Sequence, residues 1–324
     1  MPETTASWIK FTIAFYNVEN LFDTINDPKT HDDDFTKEGR LRWDKNKFDK
    51  KIRNLGAIIK KIGSEQTNQP PIIIGLAEIE NASVLEALIS SKSLKQYNYG
   101  FVHFDSKDER GIDTALLYRK EFLKIESKKA HPVEFIEEDG EKDFTRDILQ
   151  VSGEIAGQRV NILVNHWPSR RAGAELTEPS RLKVSKINKQ IISEIRSKNN
   201  DAKIIIMGDF NDDPFSKSIQ ELVSENLYNP MELLHTRDHG SLTHKGNWNL
   251  FDQILVSQNF IQQYGNAFRF DTAEIFNLKS VQVFEGPYKG HPFRTYAGPK
   301  YLGGISDHFP VFLTFTIKPL NVDN

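Results

Sequence analysis

Cysteine is absent from this chain of 324 residues. Its absence excludes disulfide frameworks, thiolate nucleophiles and zinc or iron–sulfur sites held by cysteine. The lack of cysteine leaves the redox compartment of the protein open.

Long hydrophobic runs are lacking as well. Every apolar run is far shorter than the roughly 20 residues that a transmembrane helix needs, so we expect no membrane span. The first residues, MPETTASWIKF, show no basic segment followed by an apolar stretch, which predicts no signal peptide and a cytoplasmic location.

A strong charge of one sign is also missing, because the net charge is only −3. Any binding of nucleic acid therefore has to come from local basic patches. A hydrophobic content of 38% with 27% charged residues is typical of a globular protein.

Short apolar strands alternate with amphipathic helices along the chain. The pattern predicts strands at 11–18, 71–78, 99–104, 112–118, 145–155, 159–166, 203–207, 251–256 and 309–316. It predicts helices at 44–62, from Asn81 onward, at 178–198 and at 215–225. This alternation indicates an α/β or α+β fold.

Polar side chains follow or begin several of these strands. The most prominent stretch is IIIMGDFNDDP at 204–214, in which a buried strand runs directly into acidic residues. The side chains placed in this way are Asn17, Glu19, Glu78, Glu80, His166, Arg170, Asp209, Asn211, Asp252, Asp307 and His308. Taken singly, each has a structural explanation: a turn residue, a hydrogen-bonded histidine, or, for Asp209 or Asp212, the cap of the helix at 215.

Taken together, these residues predict a metal site. Several carboxylates cannot gather at one edge unless a cation neutralises them, and oxygen ligands without cysteine favour Mg²⁺ first and Mn²⁺ second. Metal, carboxylates and histidines together indicate hydrolysis of a phosphate ester. The DFNDDP stretch does not have EF-hand spacing, and no HExxH zinc motif occurs.

Six strings carry a family resemblance: YNVENLF, GLAEIEN, NHWPSR, MGDFND, DQILVS and SDHFPV, in this order. They resemble the endonuclease/exonuclease/phosphatase superfamily, over about residues 11–316. The resemblance implies a deoxyribonuclease I-like fold, a four-layer α/β/β/α sandwich of two face-to-face mixed sheets flanked by helices. It also implies that residues 1–324 form a single domain, since the matching residues run from Asn17 to His308.

The resemblance implies a role for each matching residue. Glu78 is expected to be the main metal carboxylate, with Asn17 and Asp307 beside it. Asp209 is expected to align or deprotonate the attacking water. The expected phosphate donors are His308 (held by Asp252), His166 and, as a looser match, Arg146. Asn211 is expected to donate to the phosphate or to a metal-bound water.

Other residues leave two interpretations open. Arg170 and Arg171 are either phosphate contacts or members of an exposed ion pair, and Trp167 either stacks on a substrate or belongs to the core. We expect Asp113 to orient His166 and His244 to lie near the site. The loop at 280–305, which includes Arg294, is well suited to substrate recognition.

The function predicted from these residues is Mg²⁺-dependent phosphodiester hydrolysis, with nucleic acid as the substrate. The alternative is a phosphomonoesterase acting on an inositol phosphate or another small phosphorylated metabolite. A third possibility, of another class, is an inactive binding module on the same scaffold, which would be expected to lack central residues.

Overall fold

The computed structural model describes residues 8–136, 140–244, 246–262 and 266–318. Within these ranges the α-helices are α1 (Lys45–Ile59), α2 (Ser64–Thr67), α3 (Ala82–Ile89), α4 (Ala174–Lys198) and α5 (Lys217–Val223). Short 3₁₀ segments lie at Asp33–Phe35, Lys95–Tyr97, Pro230–Leu234, Gln258–Phe260 and Lys279–Val281. None of the helices in this part of the chain is long and apolar enough to cross a membrane.

The strands of the described ranges form two large sheets and two small ribbons. In chain order they are β1 (Ile9–Leu21), β2 (Ile73–Ile79), β3 (Tyr99–His103), β4 (Asp113–Arg119), β5 (Leu123–Ile136), β6 (Lys142–Ile155), β7 (Gln158–His166), β8 (Lys203–Asp209), β9 (Leu227–Tyr228), β10 (Leu242–His244), β11 (Asn247–Asn249), β12 (Asp252–Ser257), β13 (Phe268–Ile275), β14 (Tyr296–Ala297), β15 (Lys300–Tyr301) and β16 (Val311–Ile317). The first sheet has the order β13-β16-β1-β2-β4-β3 and the second β5-β6-β7-β8-β12-β9. Both are mixed, since β1 and β2 run parallel, as do β7 and β8, while their other neighbours are antiparallel.

The central strands are buried on both faces, which explains their continuous apolar runs. In β8, Ile205 and Met207 point between the two sheets, whereas Ile204 and Ile206 point toward the outer helices. All four side chains have no exposed surface. The IIIM run is therefore a strand sandwiched between two apolar layers.

Three apolar clusters define the layers. One lies between α1, α3 and the first sheet, one lies between the two sheets, and one lies between the second sheet and α4 with α5. The predicted four-layer α/β/β/α sandwich is confirmed.

Helix starts follow the capping residues that the sequence offers. Asp44 accepts a hydrogen bond from the backbone N–H of Lys47 at the start of α1, and Asn81 accepts one from Val84 at the start of α3. The predicted cap of the helix at 215 is wrong, because Ser216 occupies the cap position of α5 and makes no side-chain cap bond. Asp212 is bound instead by Arg170, Arg181 and Ser218.

Two long strands were not predicted, β5 and β13. Each lies at the edge of a sheet, where many of its side chains are exposed and polar. An edge strand of this kind lacks the apolar run that marks the buried strands.

Candidate active site

The strand ends of the second sheet place three titratable side chains in one row. His166 and Asp209 are the last residues of β7 and β8, and they are partners in the parallel ladder. Because β12 runs antiparallel to β8, its first residue, Asp252, lies opposite Asp209. The register thus brings His166, Asp209 and Asp252 side by side.

The first sheet contributes from the facing side. Asn17 of β1 donates from Nδ2 to Oδ2 of Asp209 at 3.0 Å, which joins the two sheets. Ser306 donates from Oγ to the backbone oxygen of Asn17 at 2.6 Å. This bond fixes the segment that carries Asp307 and His308 over the same edge.

His308 and Asp252 form a buried pair. Nδ1 of His308 lies 2.6 Å from Oδ2 of Asp252, and Asp252 has no exposed surface. Burial opposes a charge on the imidazole, but the charge and the hydrogen bond of Asp252, together with the charge of Asp209, raise the pKa of His308 well above its usual value. His308 is therefore held as a cation.

The pKa of His166 shifts in the opposite direction to that of His308. Burial, followed by the positive charges of Arg146 and Arg110, lowers the pKa of His166 well below its usual value. Its Nε2 lies 3.7 Å from Oδ2 of Asp209 and 4.0 Å from Oε1 of Glu78. The site thus pairs one charged and one neutral histidine, an arrangement that separates their roles.

Asp209 connects these groups. Burial and the charge of Asp252 raise the pKa of Asp209 to about 6. Its Oδ1 accepts a hydrogen bond from the backbone N–H of Asn211 at 3.0 Å. Asn211 has a φ of 50° and donates from Nδ2 to the backbone oxygen of Trp167 at 3.0 Å. A carboxylate with its pKa near neutrality can take a proton from water.

Glu78 occupies a strained position at the end of β2. Its φ is +66°, and the pairing of β2 with β4 shifts register between Ala77 and Ile79. A non-glycine residue in this region costs about 1–3 kcal/mol, and such strain clusters at functional sites. Oε2 of Glu78 accepts the backbone N–H of Asn20 at 2.8 Å. Its Oε1 makes no hydrogen bond to any residue within the described ranges, and it lies 4.0 Å from Arg110.

Asp307 lies at the open side of the site. Its Oδ2 accepts a hydrogen bond from Arg294 at 2.8 Å, and its Oδ1 lies 3.9 Å from Nε2 of His308. The side chain is one-third exposed. Arg294, which belongs to the loop at 280–305, is thus bonded to Asp307.

The structure offers donor atoms for a metal ion. Asp209, Asp252 and His308 each present one ligand atom, and these atoms lie within 4.8 Å of one another. Oδ1 of Asp252 is buried and has no hydrogen-bond partner among the described residues. Together with the free Oε1 of Glu78, this donor set suits a hard divalent cation.

The profile of the Endonuclease/Exonuclease/phosphatase family matches residues 12–317. The chain belongs to this family. It is a hydrolase of the family with a buried group that could hold a metal.

Solved structures of the family share the fold at low identity. An endonuclease/exonuclease/phosphatase family protein from Bacteroides thetaiotaomicron is 16% identical, with 96% of each chain covered and a TM-score of 0.58. A mannosyl-6-phosphatase from the same organism is 17% identical, with 94% of this chain and 99% of that chain covered and a TM-score of 0.55. TDP2 from D. rerio, complexed with a single-strand DNA product, is 17% identical, with 94% and 98% covered and a TM-score of 0.54. No curated protein matches the chain.

Trp167 belongs to the core. Its ring has no exposed surface, packs edge-to-face on Phe210 at 4.8 Å, and donates from Nε1 to Asn165 at 3.0 Å. Stacking of this ring on a substrate is therefore wrong, and the core alternative holds. The backbone oxygen of Trp167, however, accepts hydrogen bonds from Asn211 and Arg146.

Two arginines differ in what they can offer a phosphate. Arg170 is bound to Asp212 at 2.5 Å and to the backbone oxygen of Asn211 at 2.7 Å, so it belongs to an ion pair that supports the site. Arg146 is buried and donates to Asp108 at 3.2 Å and to Trp167 at 2.7 Å. A phosphate contact from Arg146 stays a prediction.

Asp113 does not orient His166, contrary to expectation. Oδ2 of Asp113 lies 3.4 Å from Nε2 of His103, and its Oδ1 accepts the backbone N–H of Ser106. Nδ1 of His166 has no partner among the residues described. His244 is exposed, and Ser241 is the nearby residue bonded to the site, through the backbone N–H of Asp252 at 3.2 Å.

A buried lysine beneath the site was missed. Lys51 of α1 donates from Nζ to the backbone oxygen of Glu19 and to Oγ1 of Thr295 at 2.9 Å. Burial lowers the pKa of Lys51 against the opposing charges of Glu19, Glu78 and Asp307. The signal was present, because Lys51 falls on the inward face of the predicted helix, beside Phe48 and Ile52.

Proposed function

We propose that the chain is a Mg²⁺-dependent phosphodiesterase that hydrolyses nucleic acid by in-line attack of water. The observation that carries the proposal is the meeting of Asp209 with the charged His308–Asp252 pair at one edge of both sheets. A base and a fixed cationic donor in one buried place suit attack on a phosphate ester. We also propose that residues 1–324 form one domain, because both sheets contribute to this site.

We assign Asp209 the role of orienting and deprotonating the attacking water. Its raised pKa allows it to accept a proton near neutral pH, and its hydrogen bonds to Asn17 and Asn211 fix its orientation. His308 is assigned to the phosphate, since its Nδ1 is held by Asp252 and its Nε2 is left to donate. Neutral His166 and the amide of Asn211 complete the donors around the phosphate.

Asn17, Glu78 and Asp307 are assigned to the metal in preference to the Asp209–Asp252–His308 group. In that group, Asp252 and His308 are already joined by a short hydrogen bond, which a metal would have to break. Glu78 and Asp307 instead border the open side, where a substrate oxygen can approach. When bound, Mg²⁺ supplies positive charge to the phosphate oxygens.

A phosphomonoesterase is the second candidate. Two observations favour it: the likeness to a mannosyl-6-phosphatase and a cleft of only about 340 Å³ beside Glu78. The likeness to TDP2 bound to a single-strand DNA product favours the diester. Presence of all the central residues at one edge argues against an inactive binding module.

The experiment compares bis(p-nitrophenyl) phosphate, p-nitrophenyl phosphate and supercoiled plasmid, each with Mg²⁺ and with EDTA. We expect Mg²⁺-dependent turnover of the diester and cutting of the plasmid. Strong turnover of the monoester with no cutting of plasmid would contradict the nuclease and support the phosphomonoesterase.

The proposed mechanism is tested with His308→Ala. We expect the variant to lose about 10²- to 10⁴-fold in kcat, because the fixed donor is removed. His239→Ala is the matched control, since His239 is exposed in a turn that pairs with Thr236, and it should keep wild-type activity. Equal activity of His308→Ala and the wild type would refute the mechanism.

A further inference from the structure

A cleft beside the candidate active site is unusually rich in arginine. Arg40, Arg110, Arg171 and Arg294 line it, and we call it the arginine cleft. The carboxyl groups in its lining are those of Glu19 and Asp34, so cations outnumber anions there by two. This excess contrasts with the net charge of −3 for the whole chain.

The arginine cleft adjoins the proposed metal and phosphate site directly. Asn20 lies in its lining and donates its backbone N–H to Oε2 of Glu78 at 2.8 Å. Arg110 donates to Oδ1 of Asn20 at 3.0 Å and lies 4.0 Å from Oε1 of Glu78. Arg294 binds Asp307 on the other side. A group in the cleft would therefore lie only a few bonds from a phosphate at the active site.

The arginines retain donors for a ligand. Arg171 is exposed and makes no hydrogen bond or ion pair with any residue in the described part of the chain. Arg40 is bound only to Asp34 in that part, at the surface, and Arg110 uses one guanidinium nitrogen in its hydrogen bond to Asn20. A guanidinium group has five N–H donors in a fixed fork that matches the oxygens of a phosphate.

The anions of the cleft do not cancel this charge. Glu19 accepts the backbone N–H of Thr295 at 2.6 Å, and its Oε1 lies 3.7 Å from Nε of Arg294, so it is already paired with one arginine of the cleft. Asp34 is already paired with Arg40. Arg171 and Arg110 are thus left with positive charge in the cleft that Glu19 and Asp34 do not neutralise.

We propose that the arginine cleft binds a second phosphate group of the substrate, a few bonds away from the phosphate that is hydrolysed. The substrate class is then a phosphate ester that carries at least two phosphates. This inference rests on the proposed function. The second phosphate has two possible sources, the neighbouring phosphate of an oligonucleotide or another phosphate on a small molecule.

Two substrate pairs test the proposal in the presence of Mg²⁺. The nucleotide pair is the thymidine dinucleotide dTpdT with and without a 5′-phosphate. The small-molecule pair is fructose 1,6-bisphosphate and fructose 6-phosphate. We expect the member with the extra phosphate to have a kcat/KM about 10- to 100-fold higher in one pair, and that pair identifies the source. Equal values within both pairs would overturn the proposal.

Variants show whether the cleft is responsible. Arg171→Ala should lower kcat/KM about 10-fold for the substrate with two phosphates, mainly through KM, and leave its partner with one phosphate unchanged. The matched control is Arg159→Ala, an exposed arginine paired with Glu126 on the second sheet. A loss of equal size on both members of a pair would contradict the assignment.

A binding measurement separates this inference from the proposed function. Isothermal titration with inorganic pyrophosphate and orthophosphate, in EDTA, needs no turnover. We expect pyrophosphate to bind at least 10-fold more tightly than orthophosphate, and Arg171→Ala to remove the difference. If no substrate is hydrolysed but this preference is seen, the proposed function is wrong and binding of a second phosphate in the arginine cleft is supported. If hydrolysis occurs without the preference in binding or in kinetics, binding of a second phosphate in the cleft is contradicted and the proposed function is supported.

Discussion

Nδ1 of His308 lies 2.6 Å from Oδ2 of Asp252, although 56 residues separate the two in the chain. Asp252 is the first residue of β12 in the second sheet, and His308 lies just before β16 of the first sheet. The pair holds a charged imidazole in a buried place.

We expect Asp252→Asn to lower kcat by about 10²- to 10⁴-fold. The amide keeps the size of the side chain but removes the negative charge, so the pKa of His308 should fall and its cationic form should be lost near neutral pH. Steady-state kinetics measure the effect, and a titration of His308 by NMR measures its cause. Asp271→Asn, which affects an exposed ion pair with Lys10, is the control. An unchanged kcat would show that the pair has only a structural role.

Glu78→Gln tests the proposed metal site. The amide has the same shape, but it lacks the charge that binds a hard cation, so the Mg²⁺ concentration for half-maximal activity should rise at least about 10-fold. Activity measured against Mg²⁺ concentration gives this value. Glu121→Gln, which changes an exposed carboxylate paired with Arg119, should leave this concentration unchanged. The same Mg²⁺ dependence in Glu78→Gln and the wild type would contradict the assignment.

Trp167 is expected to act through stability alone. Trp167→Ala should lower the free energy of unfolding by about 3–5 kcal/mol, because it leaves a cavity beside Phe210. Urea denaturation measures this loss. Trp167→Phe should fold and keep the KM of the wild type, since the ring is fully buried. A raised KM of Trp167→Phe with unchanged stability would indicate that the ring contacts the substrate.

Asp147 should make stability depend on pH. Burial and the charge of Asp113 raise the pKa of Asp147 to about 6 in the folded protein, above the usual value of 3.8. The folded state therefore holds the proton more tightly than the unfolded chain. The wild type should lose stability as pH rises from about 4 through 6 and lose no more from this group above that range.

Asp147→Asn should remove this loss. Because the side chain is partly exposed, we expect a gain of at most about 1 kcal/mol in the free energy of unfolding at pH 8 and no gain at pH 3.5. Thermal unfolding at both pH values measures it, with Asp143→Asn on the same strand as the control. A variant that is equally or less stable at pH 8 would show that the carboxylate is not penalised by burial.

Local patterns predicted much of the fold. Buried strands such as β8 were recognisable because side chains that face two apolar layers must all be apolar. Asp44 and Asn81 marked the starts of α1 and α3, since their side chains satisfy backbone N–H groups within the same turn. The edge strands β5 and β13 were not predicted, because their exposed polar side chains interrupt the apolar pattern.

The candidate site was predictable in membership but not in pairing. The motifs mark Asn17, Glu78, Asp209 and His308 because polar residues next to the end or the start of an apolar strand have to emerge at a sheet edge. Which side chains then touch depends on strand register. Asp113 illustrates the difference, because the β3–β4 hairpin places it against His103 and not against His166.

The sequence by itself determined the buried strands, the helix starts at Asp44 and Asn81 and the polar side chains at the strand ends, because each of these leaves a pattern within a few residues. Only the tertiary structure decided that Trp167 is buried, that Lys51 lies beneath the site, and that four arginines from distant segments line one cleft. Those relationships arise when two sheets pack face to face. The spacing of residues along the chain does not specify which distant segments that packing brings together.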